Sequence, residues 1–236
     1  VCELFIKPLT LTSKCSYCDL LNEIKHPGVG EAKVFISHAW KYQFLDVIDS
    51  LQNHFKDNMD VVIWFDLFSN NQHMATNLDF HWWTNTYKSA EQFGHTVLIF
   101  APWNDPIPLT RGWCVFELYC SIASKCKFEV AMSGQEKEHF IKDLLSDVEG
   151  VVKKMLGKVD AEASQCFKEE DKNRIFDTIR QTVGFPKVNG MILERLREWV
   201  IETTILKIQH SNGEDRIKLK LLLGSLYKDQ TKYDKA

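Results

Sequence analysis

The chain has 236 residues, 44% of them hydrophobic, with 29 Lys and Arg against 32 Asp and Glu for a formal net charge of -3. That composition supports a buried core and excludes disorder, and the length fits one large domain or one domain with extensions. The charge balance, with Lys and Arg scattered, excludes the basic stripe that binds nucleic acid, and no apolar run approaches the ~18 residues of a membrane span.

Residues 1–31 read as an N-terminal extension ending in the Pro- and Gly-rich "KHPGVG". Within it Cys15 and Cys18 form a CxxC, but a structural zinc site needs a second ligand pair at fixed spacing, which Cys2 and His26 supply poorly, so no metal is expected. Seven cysteines, an odd number, set mostly in apolar segments, read as reduced thiols. With no charged-then-apolar leader, a cytoplasmic location is the expectation.

From Lys33 the pattern becomes regular. "KVFIS" is a short strand, and Phe44, Val47, Ile48, Leu51 and Phe55 follow at helical spacing. "DVVIWF" (60–65) predicts a second buried strand, closed by Asp66 and the loop-like "SNNQHMATN". Phe80, Trp83, Tyr87 and Ala90 predict a helix that Gly94 ends. "TVLIFA" (96–101) is the third strand, broken by "PWNDPIP"; Thr110 is placed to cap a helix with Trp113, Phe116, Cys120 and Ala123 on one face, and "KFEVAM" (127–132) is the fourth strand. Strands alternating with helices predict an α/β fold with a parallel sheet flanked by helices. Ligands collect at the carboxyl ends of such strands, so Ser37, Asp66 and the loop from Pro102 to Arg111 converge on one rim.

After Ser133 the chain turns helical. "EHFIKDLLSDVEGVVKKML", "NRIFDTIRQTVGF" and "GMILERLREWVIETTILKI" are helices, the last two separated by "FPKVNG", and they either extend the α/β core or complete it. In "LLLGSLYKDQTKYDKA", Leu223, Gly224, Tyr227 and Ala236 have the spacing of a tetratricopeptide repeat's first helix and turn. The start at Val1 without methionine and the ending at that alanine give the expectation of a fragment whose repeat array, with its own protein partner, lies outside it.

"TRGWCVFELYCSIA" holds the best chemical constellation. Trp113 and Glu117, four apart, stack on one side of a helix near the rim. The competing reading is structural: the helix dipole favours an early Glu, and Trp113 extends the apolar stripe into the core.

"VFISHAW" with its following helix, "DVVIWFD" with its polar loop, and "HTVLIFAPW" followed by "RGWCVFELYCSIA" together resemble a Toll/interleukin-1 receptor (TIR) domain of divergent protist, algal or fungal type. The strand signature is Phe35-Ile36-Ser37, and the W-C-x-x-E-L element is Trp113, Cys114, Glu117 and Leu118. The likeness spans about residues 32–150, implies a flavodoxin-like sheet, and leaves 151–210 as a helical spacer and 211–236 as the start of a truncated repeat. It further implies an NAD+ glycohydrolase or ADP-ribosyl cyclase, activated by self-association through TIR surfaces in an immune or cell-death pathway, with NAD+ as substrate and no cofactor. By that resemblance Glu117 is catalytic, and Ser37, His38, Ala39, Trp40, Asp66, Trp82 and Trp113 bind substrate; Trp40 and Trp103, both in loops, are open between ring binding and packing. The alternative is a non-catalytic scaffold for homotypic contacts. The chain departs from the family in its long loop "DLFSNNQHMATNLDFHWW", which lacks the usual glycine, and in His38-Ala39, where animal members carry Tyr and Arg; phosphate contact then falls to backbone N–H groups, Arg111 or Lys41. No GxGxxG follows the first strand, which counts against a Rossmann redox enzyme.

Overall fold

A computed structural model describes residues 1–74 and 90–233. At its centre lies an all-parallel sheet of β1 (Val34–Ser37), β2 (Ile63–Trp64), β3 (His95–Ile99) and β4 (Lys127–Ala131), in the order β2-β1-β3-β4. Parallel neighbours require crossovers, and these are helical. After α1 (Tyr17–Glu23) in the N-terminal segment, α2 (Phe44–His54) joins β1 to β2. The one-turn α3 (Asp66–Ser69) and α4 (Ala90–Phe93) lie between β2 and β3, and α5 (Gly112–Ala123) joins β3 to β4. The strand order is that of flavodoxin-like sheets, with a switch point between β1 and β3, in agreement with the expected parallel α/β fold.

All four residues of β1 are buried, because both faces of the sheet are covered. Alternation divides them. Phe35 packs in one cluster with Leu98, Phe128 and Phe116 of α5, whereas Val34 and Ile36 join Val97, Ile99 and the α2 residues Val47 and Leu51 on the other face. Ser37, two residues after Phe35, therefore points toward α5.

Several elements differ from the sequence-based expectation. β2 is two half-buried residues rather than a six-residue buried run, because it occupies the sheet edge and pairs only with β1. Thr110 does not cap α5: it ends a 3₁₀ turn (Ile107–Thr110) and its hydroxyl donates to the Ile107 carbonyl at 2.8 Å, while Arg111 occupies the cap position. The expected helix through 138–156 is two, α6 (Gly134–Ser146) and α7 (Val148–Leu156). Asp147 breaks them and accepts from Gly150 N–H at 2.9 Å. After α8 (Glu169–Thr182), Gly184 turns the chain at φ +75°, and "FPKVNG" is no separator but the first turns of α9 (Phe185–Gln209). Pro186 is compatible there, since a first-turn residue has no intrahelical N–H bond to lose. The CxxC flanks a helix start: Ser16 and Asp19 form a capping box that opens α1.

The choice left open for the C-terminal helices is decided by packing. One apolar cluster runs from Phe35 to Leu226, taking in residues of α6, α7, α8, α9 and α10 (Gly213–Tyr233), so these helices complete the core of the sheet. Trp199 of α9 stacks on Phe140 of α6 with ring centres 5.1 Å apart and lies 6.0 Å from Phe100, just beyond β3. Arg195 donates from Nη2 to the Phe128 carbonyl of β4 at 2.6 Å. Phe80, Trp83, Tyr87 and Ala236 lie outside the described residues. Gly94 ends α4 at φ +66°, as expected. Among the described residues no helix is long and apolar enough to cross a membrane.

Candidate functional site

Parallel strands end at a common edge, and the turn leaving β1 divides the site between the two faces of the sheet. On the α5 side, Ser37 Oγ donates to Glu117 Oε2 at 2.5 Å, at the short end of hydroxyl-to-carboxylate bonds. Both are buried, Ser37 fully and Glu117 with 8% of its surface exposed. The seam continues along α5: Ser121 Oγ donates to the Glu117 carbonyl at 2.8 Å and lies 2.9 Å from Thr96 Oγ1 of β3. One turn before Glu117, Cys114 Sγ donates to the His38 carbonyl at 3.4 Å. Burial, and next the Glu117 carboxylate, push the Cys114 thiol well above its ordinary pKa, so it stays protonated and is a poor nucleophile.

On the other side the His38 ring stacks on Phe65 at 4.5 Å and places Nε2 3.7 Å from Asp66 Oδ1. Burial lowers the His38 pKa and the Asp66 charge opposes that effect. The Trp40 indole N–H donates to Asp66 Oδ2 at 2.5 Å while half of Trp40 faces solvent. Asp66 Oδ1 is buried and receives no hydrogen bond among the described residues. Tyr42 ties this turn to the end of β3, donating to the Ala101 carbonyl at 2.5 Å and accepting from Ala101 N–H at 3.0 Å. A cleft of about 180 Å³ opens here, lined by His38, Trp40, Tyr42, Phe44, Phe65 and Leu67 among others.

The site residues named from sequence thus fall into two groups. Ser37 and Glu117 meet on one face; His38, Trp40 and Asp66 meet on the other; Ala39, between His38 and Trp40 in the chain, is buried. Glu117 is not among the residues lining the cleft. Trp113 is turned to the C-terminal helices, its indole N–H donating to Asp171 Oδ2 of α8 at 3.3 Å and its ring meeting Phe116 edge-on. Trp103 is a packing anchor: it is buried against Phe140, and its backbone N–H donates to Glu136 Oε1. Trp82 lies outside the described residues. Arg111, at the start of α5, pairs by backbone with Gln165, and Lys41 is exposed beyond Trp40.

Tyr42, Phe65 and Cys114 were not picked out as site residues. Tyr42 sits in an aperiodic turn, and its partner is a backbone group 59 residues away, so no local pattern announces it. Phe65 reads as ordinary strand, and only the fold puts His38 on its face. The comparisons with known proteins add no relative: no protein-family model matches the chain, and no curated protein or solved structure matches it.

Proposed function

We propose that the chain is an NAD+ nucleosidase of TIR type, with Glu117 as its catalytic carboxylate. One observation carries the reading: Ser37 fixes Glu117 at 2.5 Å at the carboxyl edge of a parallel sheet, beside the β1/β3 switch point where such folds bind ligands. Loss of nicotinamide leaves an oxocarbenium-like ribose. A carboxylate already oriented beside it stabilises the developing positive charge without reorganising. Nicotinamide departs neutral, so no general acid is needed. The cleft beside Trp40, at about 180 Å³, is below the ~300–1,000 Å³ of whole-ligand sites and matches a seat for one aromatic ring of the dinucleotide.

The second reading is a scaffold that uses its surfaces for homotypic contacts. It is favoured by the 8% exposure of Glu117 and by the engagement of Trp113 with Asp171 rather than with an open rim. Nicotinamide release from NAD+, followed at high protein concentration and again with the chain tethered into clusters, separates the two. Turnover by wild type that Glu117→Ala abolishes supports the enzyme. Equal, negligible turnover by both in the clustered state leaves the scaffold.

A further inference from the structure

At the opposite edge of the sheet, where the strands begin, three side chains from three elements meet. His95 opens β3, Glu129 is the third residue of β4, and His54 ends α2. Alternation puts His95 and Glu129 on the face of Val97 and Ala131, which packs against Val47 and Leu51 of α2. That helix starts near the carboxyl edge and runs back across the sheet, which brings its last residue to the amino edge.

From Glu129 Oε2, His54 Nε2 is 3.4 Å away and His95 Nε2 2.6 Å away. One potential ligand atom from each residue lies within 4.8 Å of the other two. The His95 contact is a close ion pair, and among the described residues its buried Nε2 makes no hydrogen bond of good geometry.

We propose that His54, His95 and Glu129 bind a divalent transition cation of the zinc class. Two imidazoles and one carboxylate are a recognised zinc donor set, with water completing a tetrahedron. Imidazole nitrogen selects against magnesium and calcium, which take oxygen ligands. With metal-to-ligand bonds of about 2.0–2.2 Å, neighbouring ligand atoms of a tetrahedron stand roughly 3.3 Å apart. The His54–Glu129 separation already has that value, and the His95–Glu129 pair has to open by about 0.7 Å to reach it.

The histidine side chains are 17% exposed and that of Glu129 34%, so the cluster lies near the surface, with His95 Nε2 itself covered until the pair opens. Lys127 Nζ lies 3.0 Å from the same Glu129 oxygen, and its ammonium competes with the ion. Its side chain is 62% exposed and free to swing outward. The ion clamps the end of α2 to β3 and β4, at the far end of the strands from Glu117.

Titration of the 236-residue chain with cobalt(II), then displacement by zinc(II), tests this. Expected are the visible bands of tetrahedral cobalt without the near-ultraviolet thiolate band that ligation by Cys15 and Cys18 would give. His54→Ala and Glu129→Gln each weaken binding by about tenfold or more, whereas His210→Ala, on the exposed end of α9, leaves it unchanged. Lys127→Ala tightens binding several-fold, a gain that misfolding cannot produce. A thiolate band, or an affinity unaltered by both His54→Ala and Lys127→Ala, overturns the proposal.

Discussion

The hydroxyl of Ser37 and the carboxylate of Glu117, 80 residues apart in sequence, are joined at 2.5 Å across the junction of β1 and α5. With Ser121 and Thr96 they form the polar seam on which α5 docks. Truncation at Ser37 takes a donor from a buried carboxylate, a change that costs about 1–3 kcal/mol. Ser37→Ala is expected to lower the unfolding free energy by that amount, seen as a lower urea midpoint at an unaltered slope. A variant as stable as wild type would show that the bond contributes nothing net.

Glu117→Gln separates the structural role of this residue from the proposed chemical one. Glutamine keeps an oxygen that can accept from Ser37 but carries no charge to stabilise an oxocarbenium ion. If Glu117 acts as proposed, nicotinamide release falls by about 100-fold or more, while stability changes by less than the roughly 1–3 kcal/mol of a lost buried bond. Full activity in Glu117→Gln would remove Glu117 from the chemistry.

How much of this was legible in the sequence depends on how local each cause was. β1, β3, β4, α2 and the α5 stripe were readable because runs of buried residues and helical spacing report burial directly. β2 was overestimated because the apolar letters of "DVVIWF" do not reveal that its position is an edge. Glu117 was legible only through a motif, and its partner Ser37 only as a strand end; their bond depends on the register of β1 against β3 and on the docking of α5. Trp113 was placed on the correct helix, but its contact is Asp171, in a segment whose packing no local pattern encodes.

His38 sets a pH dependence. Its side chain is 8% exposed, and burial holds its pKa below the ordinary 6.5. The titratable groups around it are Asp66 of α3, Cys2 and Tyr42 at the cleft, and Cys114 of α5, whose thiol bonds its carbonyl. Below that ordinary value the unfolded chain binds the proton more readily than the folded one, so the stability from neutral His38 is complete above about pH 6.5 and declines as pH falls. Comparison of urea unfolding at about pH 7.5 and about pH 5.5 should show a larger loss in wild type than in His38→Phe, which keeps a ring on Phe65 and cannot titrate. Equal losses would show that His38 does not couple folding to pH.

Gly112 marks a close approach between α5 and the chain leading to α8. Its N–H donates to the Gln165 carbonyl at 2.9 Å, and a Cβ there would lie 2.5 Å from Cys166 Sγ. At that distance Gly112→Ala forces Cys166 Sγ to turn away or the segments to part, and is expected to cost about 1–3 kcal/mol, measured by urea denaturation. The double variant Gly112→Ala with Cys166→Ala should recover part of that loss. Absence of any recovery would place the strain elsewhere.

Trp199 tests whether the C-terminal helices and the sheet fold as one unit. It lies between Phe140 of α6 and Phe100 beyond β3, so its removal leaves a cavity bordered by both halves of the chain. Trp199→Ala is expected to destabilise by about 3–5 kcal/mol. A shared core requires loss of helical circular dichroism and exposure of the buried Cys120 thiol of α5, the helix packed on the sheet, to move together to lower urea, in one transition. Cys120 suits this use because it is buried on α5 within the same cluster as Trp199. If the dichroism shifts while Cys120 keeps its wild-type protection, the helices unfold independently, and the contacts of Trp199 do not couple them to the sheet.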